Sequence, residues 1–323
     1  MNDDQERAGF EALAEAGADD NDAVRGLGAR LKAKPQPQDL MALAALWLHA
    51  AAAAPEELPG IYDAVAEGYL GEPLGAIAIA IGTPARPEPI PAAFWAFLWE
   101  LLDEPRSGLG AVSLTTKTAA LAGLISPKVQ PRVGLAAAAY PGVKAAVAQG
   151  YPKRFTLDAL ARCPQDSLGG EFHALIVDNG FDLEVLDRDA LGLDKLPAPL
   201  AYLNARILQC HDLWHIVAGY KTTALHEVAI SAFQLAQFGH HYSSMFLGMV
   251  LTRVAFERPE GGPIMLQTIL TAWVHGRRTP PLLGVDWPAV WDLPVDKVRN
   301  RLGVTPYVSP FPADLFEQLQ VAA

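Results

Sequence analysis

Four side chains within one short stretch hold the chemistry this sequence can offer. His211 and Asp212 are followed by His215, and eleven residues separate His215 from Glu227. Residues four apart on an α-helix lie about 40° apart around the axis and one turn along it. Two imidazoles at that spacing leave the same face, and a carboxylate brought against them completes a donor set for a divalent metal ion. Two imidazoles and a carboxylate leave coordination positions open, which is the mark of a catalytic rather than a structural site. Asp212 is read as a further ligand, with an acceptor orienting the His211 ring as the alternative. Asp212 and Glu227 are the candidate catalytic carboxylates. Zinc is the expected ion, with iron as the redox-active option at a centre of two histidines and a carboxylate.

Two helices must position these groups. Pro199 suits the first turn of one and Gly219 its stop, with apolar residues at helical spacing between them. Gly219-Tyr220-Lys221 reads as a turn. Thr222 or Thr223 can cap the second helix, which carries Glu227 and ends at Gly239. So short a connection sends the second helix back against the first. On it Glu227, Ser231 and Gln234 share one face among apolar neighbours. Such a stripe needs partners, because an unpaired buried polar group costs about 1–3 kcal/mol. On the first helix Asn204 shares the face of the His pair, whereas Arg206 falls about 140° away. Asn204, Ser231 and Gln234 are therefore the candidates to orient the ligands or touch substrate. Cys210 points some 100° from His211 and reads as a small buried hydrophobe. His240 and His241 follow the stop at Gly239 and read as a solvated helix end.

The 323 residues are enough for a sizeable core. The chain is 51% hydrophobic with mean hydropathy +0.15, and alanine, a strong helix former, dominates that figure. A net charge of −11 argues against a nucleic-acid partner, which requires a basic surface. Two cysteines, Cys163 and Cys210, rule out a disulfide framework and suit a reducing compartment. The acidic first residues are unlike a secretory or mitochondrial targeting segment. No uncharged apolar run reaches the roughly 18 residues needed to span a bilayer. A cytoplasmic protein is expected, with peripheral contact on the inner membrane face left open, and a homo-oligomer.

In chain order, residues 1–38 read as an acidic polar leader with one short helix. Residues 39–105 form an alanine- and aromatic-rich helical layer, with helices over 39–54, 58–70 and 91–103. Residues 106–323 form a helical core packed with that layer as one unit. Its helices are expected over 113–125, 136–148, 168–179, the two central helices, 243–256, 264–275 and 295–302. Residues 75–81 alternate between glycine or alanine and isoleucine, and helix is preferred over strand for them. Prolines make 84–91 a linker. Phe94, Trp95 and Trp99 read as core, with a membrane anchor as the alternative. The apolar helix over 243–256 is core or the lining of a lipid tunnel. Arg277 and Arg278 read as a solvated face. The fold class is all-α: a multi-helix bundle with an apolar cavity next to a metal site on two adjacent helices.

His211-Asp212-x-x-His215-x11-Glu227 resembles the HDxxH-x11-E signature of the fourth coenzyme Q biosynthesis protein family, which acts in ubiquinone synthesis. Leu200-Ala201-Tyr202 with Arg206, and Trp214, Gly219-Tyr220 and Ala236-Gln237, are similar to the family's segments around that motif. Upstream, 166–172 (DSLGGEF) resembles its GTLG-x-x-Y box, with Asp166 and Phe172 as departures. Downstream, Trp273, Trp291 and the segment 298–304 (VRNRLGV) resemble its closing region. The resemblance covers roughly residues 150–305, while the first hundred residues are longer and richer in alanine than the family's.

The resemblance implies a helical fold and a divalent metal, commonly taken as zinc, on the motif residues. It also implies an apolar cavity for an isoprenoid tail. Members of the family were long treated as scaffolds of a quinone-synthesis complex. They are now linked to oxidative decarboxylation at carbon 1 of a prenylated hydroxybenzoate, where a hydroxyl replaces the carboxylate. Expected partners are thus a prenylated aromatic or isoprenoid lipid, other quinone-biosynthesis proteins and a membrane surface. Two alternatives stand beside this enzyme. One is a non-catalytic lipid-binding scaffold with a structural metal. The other is a zinc hydrolase, since HDxxH is similar to HExxH with the second residue as general base.

Overall fold

The computed structural model describes residues 3–18, 20–79, 81–82, 85–104, 111–184 and 186–321. Among them are sixteen α-helices and no strand. They are α1 (Asp3–Ala16), α2 (Asn21–Ala33), α3 (Pro37–Ala52), α4 (Leu58–Leu70), α5 (Ala92–Asp103), α6 (Ala111–Ala122), α7 (Gln130–Ala138) and α8 (Val143–Val147). There follow α9 (Leu157–Leu160), α10 (Leu168–Asn179), α11 (Leu200–Ala218), α12 (Ala224–Phe238), α13 (His241–Glu257), α14 (Gly262–Arg278), α15 (Val295–Leu302) and α16 (Leu315–Val321).

Local signals set many of these limits. Ser167 accepts from the Gly170 N–H and opens α10. Gly71, Gly180, Gly219, Gly239 and Gly303 close α4, α10, α11, α12 and α15 in the left-handed conformation. The sequence limits of α4, α10 and α15 are met.

Three segments and the Arg277 side chain differ from the sequence expectation. Residues 1–38 hold two helices rather than one, and both bury an apolar stripe: Phe10 and Ala14 on α1, and Val24, Leu27 and Leu31 on α2. The expected helix over 136–148 is broken into α7 and α8, because Pro141-Gly142 interrupts it and Gly142 takes φ +77°. The described residues of 75–81 are neither helix nor strand. Their alternation matched no helical period, and the cations of α14 take up the backbone here: Arg277 donates to the Ile77 carbonyl and Arg278 to those of Leu74 and Pro73. Arg277 is accordingly buried, in an ion pair with Asp63, rather than part of a solvated face. Of the proline-rich stretch 84–91, residue 84 lies outside the described residues, and 85–90 are irregular as a linker should be.

The core is layered outward from α12. That helix packs on α14 and α13, α14 on α4, α4 on α2, and α13 on α3. Gly276 of α14 lets α12 come close, since a Cβ there would lie 2.7 Å from the Phe233 carbonyl oxygen. Trp47 stacks on Tyr62 at 4.4 Å, and Tyr62 meets Trp273 at 4.8 Å, tying α3, α4 and α14 together. Phe94, Trp95 and Trp99 are buried, with Trp95 and Trp99 around Phe10, which also meets Phe256; they are core. Most of α13 is buried. Among the described residues no helix is long and apolar enough to cross a membrane.

The α2–α4 crossing gives a test of the packing. A Cβ on Gly68 would stand 2.0 Å from the Arg25 carbonyl oxygen, whereas one on Gly9 in α1 meets nothing within 4 Å. Gly68→Ala is expected to destabilise by about 1–3 kcal/mol through overpacking. Gly9→Ala should instead stabilise by about 0.5–1 kcal/mol through helix propensity. Thermal unfolding of the two variants measures both, and equal melting temperatures would contradict the crossing.

Candidate metal centre

Helix α11 runs the full length expected of it, and Gly219 ends it at φ +83°. Only a glycine fits there, because a Cβ would lie 2.9 Å from Pro306 Cβ and 3.1 Å from the Tyr307 N. After the turn, α12 begins at Ala224. The two helices meet through side chains: His211 and His215 reach Glu227, Gln234 reaches His211, and Trp214 packs on Phe238 at 5.0 Å.

His211, His215 and Glu227 each offer one ligand atom, and these atoms lie within 4.8 Å of one another. His211 Nε2 is 3.3 Å from Glu227 Oε2 and 3.3 Å from His215 Nε2, and His215 Nε2 is 3.4 Å from Glu227 Oε1. His215 is buried, while the Glu227 side chain is 43% exposed, so the group opens on one side.

The donor chemistry fits a divalent ion. His215 Nδ1 lies 3.1 Å from the Lys221 carbonyl, which can only accept, so Nδ1 carries a proton and the neutral ring offers Nε2 to a metal. His211 Nδ1 lies 2.8 Å from the Gln234 amide. As placed, Gln234 Nε2 donates to that nitrogen and leaves the His211 proton on Nε2, toward Glu227; with the amide turned, its oxygen accepts from Nδ1 and frees Nε2 for a metal.

The other sequence candidates sit differently. Asp212 lies outside the three-residue group, as an adjacent position 100° around the helix must, and acts on His211 through its charge. Asn204 donates to the Leu200 carbonyl and Ser231 to the Glu227 carbonyl, so both are engaged with helix backbone rather than with the imidazoles. Arg206 is buried away from the group and donates to the carbonyls of Leu283 and Val285. Cys210 is fully buried, and burial pushes its thiol up to about 11.

His240 and His241 are not a solvated helix end. His240 is buried beside Ser243 Oγ at 2.9 Å, and His241 Nε2 donates to the Ala51 carbonyl at 2.8 Å, because α13 packs on α3. Burial, then His241 and His211, bring His240 down to about 3, which leaves it neutral. Tyr242, hydrogen-bonded to Thr115 and Thr118 of α6, is raised first by burial and also by the Glu227 charge. Periodicity along α11 and α12 gives no signal for these neighbours, because they come from other elements.

The ligands hold each other's charge. Burial would raise Glu227, yet hydrogen bonds and charges from His211 and His215 carry it well below the ordinary carboxylate range. Burial would likewise lower His211, but Glu227, then Asp212 and Gln234, carry it above the ordinary imidazole value.

The end of the chain fastens both helix termini. Arg299 of α15 donates to the Val217 and Ile216 carbonyls at the end of α11. Thr223 makes no side-chain cap for α12; its hydroxyl donates to the Ala313 carbonyl, and Glu317 of α16 accepts from the Ala224 N–H. Two clefts lie elsewhere. One of about 300 Å³ is lined by Leu31, Pro35, Leu40 and Leu266, and one of about 490 Å³ by Leu70, Val274, His275 and Tyr307. The apolar cavity expected beside the motif is not one of these two.

Residues 151–308 match the family described as coenzyme Q (ubiquinone) biosynthesis protein Coq4, and all three ligand candidates fall inside the match. The mitochondrial ubiquinone biosynthesis protein COQ4 homologue of Drosophila ananassae is 29% identical over 147 residues, 45% of this chain and 53% of that one. Its counterpart in Rattus norvegicus is 27% identical over 150 residues, 46% of this chain and 55% of that one. The match thus spans about half the length of these relatives. A solved structure from Nostoc punctiforme is 25% identical and covers 66% of this chain and 95% of its own, with a TM-score of 0.49.

The charge pattern fixes the sign of a pH dependence. Without metal, the Glu227–His211 pair contributes stability between the lowered Glu227 pKa and the raised His211 pKa. That contribution is lost as pH falls through the first or rises through the second. A metal ion competes with the proton on His211 Nε2. Affinity for Co²⁺ should therefore rise about tenfold per pH unit from below the ordinary imidazole range up to the raised His211 pKa, then level off. Titrations at stepped pH measure this, and an affinity independent of pH would contradict it.

Proposed function

We propose that this chain, a divergent member of the coenzyme Q (ubiquinone) biosynthesis protein Coq4 family through residues 151–308, acts in ubiquinone biosynthesis with His211, His215 and Glu227 as ligands of one divalent metal ion. The substrate class is a prenylated hydroxybenzoate, and the reaction is decarboxylation and hydroxylation at carbon 1. The observation that carries the reading is the His/His/Glu group itself, which opens on its Glu227 side.

The balance of the reaction is simple. The ring loses its carboxyl group as carbon dioxide and gains a hydroxyl; one atom of dioxygen enters the ring, and the other leaves as water, taking two protons and two electrons from an external two-electron reductant. A bound ion would supply Lewis-acid chemistry toward a carboxylate or phenolate and, if it is iron, redox chemistry with dioxygen. The protein's own groups do the rest. The Lys221 carbonyl keeps the proton on His215 Nδ1, and Gln234 orients His211. Glu227 stays ionised across the physiological range. Asp212, partly exposed beside His211, is the carboxylate assigned to proton transfer with the ring hydroxyl.

The test supplies the purified protein, loaded with iron(II) or zinc, with a prenylated hydroxybenzoate in detergent under air and with ascorbate as the two-electron reductant. Carbon dioxide release with one oxygen gained by the ring is the expected result. His211→Ala, His215→Ala and Glu227→Gln should abolish it while leaving the helical circular dichroism intact. If the wild type releases no carbon dioxide and the variants lose metal and thermal stability together, the metal is structural and the chain is a scaffold.

A further inference from the structure

We infer that His226 is a positioning residue for the metal ligand His215, acting through the backbone of Lys221. The inference rests on the metal reading above.

Two imidazoles grip the two polar groups of a single residue in the α11–α12 turn. The Lys221 N–H donates to His226 Nδ1 at 2.8 Å, and the Lys221 carbonyl accepts from His215 Nδ1 at 3.1 Å. The protons in this chain have fixed places. An amide N–H can only donate, so His226 Nδ1 is the acceptor and carries no proton. A carbonyl can only accept, so His215 Nδ1 carries one. In the neutral ring Nε2 is thereby the nitrogen that can ligate a metal, and it lies 3.4 Å from Glu227 Oε1.

His226 has a second property that a merely space-filling residue would lack. It is 3% exposed, and its Nε2 is buried with no hydrogen-bond partner. A leucine would occupy the position without leaving a buried donor unpaired, so what the histidine adds is the Nδ1 acceptor. Edge contacts fix the plane of its ring, with Tyr220 at 6.0 Å and Tyr307 at 5.8 Å between centroids. The sequence offers no hint of this role, because His226 neighbours Glu227 on α12 yet points 100° away from it.

The experiment compares the full-length wild type with His226→Leu, His226→Asn and His226→Gln. The readouts are Co²⁺ affinity from visible absorption and, without metal, the His215 tautomer from ¹⁵N NMR. Asparagine places an oxygen near the Nδ1 position, whereas glutamine places its polar atoms near Nε2. The leucine variant should bind Co²⁺ about 10- to 100-fold more weakly, as loss of a group that orients a metal ligand does. Its His215 ring should become a mixture of tautomers. The asparagine variant should stay within about threefold of wild type with His215 in the Nδ1–H form, and the glutamine variant should behave like leucine. If the leucine variant does not fold, asparagine against glutamine carries the comparison. Equal affinities and an unchanged His215 tautomer in a wild type that binds Co²⁺ would overturn the role of His226 and leave the metal reading standing. A wild type that takes up no Co²⁺ would overturn both.

Discussion

The turn between α11 and α12 is the constraint on which this structure depends. A helix end leaves four carbonyls or four N–H groups without intrahelical partners. Here a helix C-terminus and a helix N-terminus are brought together at residues 219–223 with three ionisable side chains close by. Each end is satisfied from a distance. Arg299 takes the last carbonyls of α11, the Tyr307 N–H donates to the Ala218 carbonyl, and Glu317 accepts from the first N–H of α12. Residues 299–317 therefore act as a clamp on the site rather than an appendage to it. Tyr307 stacks on Tyr220 at 4.6 Å, and His275 links the Tyr220 hydroxyl to the Thr305 carbonyl.

Inside that clamp, charge and burial oppose each other. A carboxylate between two imidazoles in a mostly apolar helix pair would protonate or recruit water if left alone. The structure answers with mutual compensation: His211 and His215 stabilise the Glu227 carboxylate, and Glu227 favours the proton on His211. A divalent cation held by this group would replace that proton and leave the carboxylate paired, so that metal-free and metal-bound forms share one geometry. Such pre-arrangement is what a site needs if its ligands are not to be assembled at the cost of folding.

The sequence made the local part of this legible. Pro199, Gly219 and Gly239 mark the limits of α11 and α12, and the 3.6-residue period puts His211 and His215 on one face and Gln234 on the stripe of Glu227. All of these follow from residues within one or two turns of each other. What it did not reveal is nonlocal. The burial of His240 and His241 depends on α3 covering α13, and the irregular path through residues 73–77 depends on the two arginines of α14 taking the carbonyls of Pro73, Leu74 and Ile77. Asp212 shows the limit of spacing alone: its place in the motif suggested a ligand, and the three donors that converge are those of His211, His215 and Glu227. The cap of α12 shows the same for helix starts. Thr223 has the right chemistry at the right position, but the bond is made by Glu317, some ninety residues on.

The most direct measurement is a crystal structure of the protein grown with zinc, with anomalous data collected on both sides of the metal absorption edge. The account predicts one strong anomalous peak bonded to His211 Nε2, His215 Nε2 and a Glu227 oxygen, at about 2.0–2.2 Å from each, with Asp212 outside the coordination sphere. Absence of a peak there, or a peak held by other residues, would contradict it.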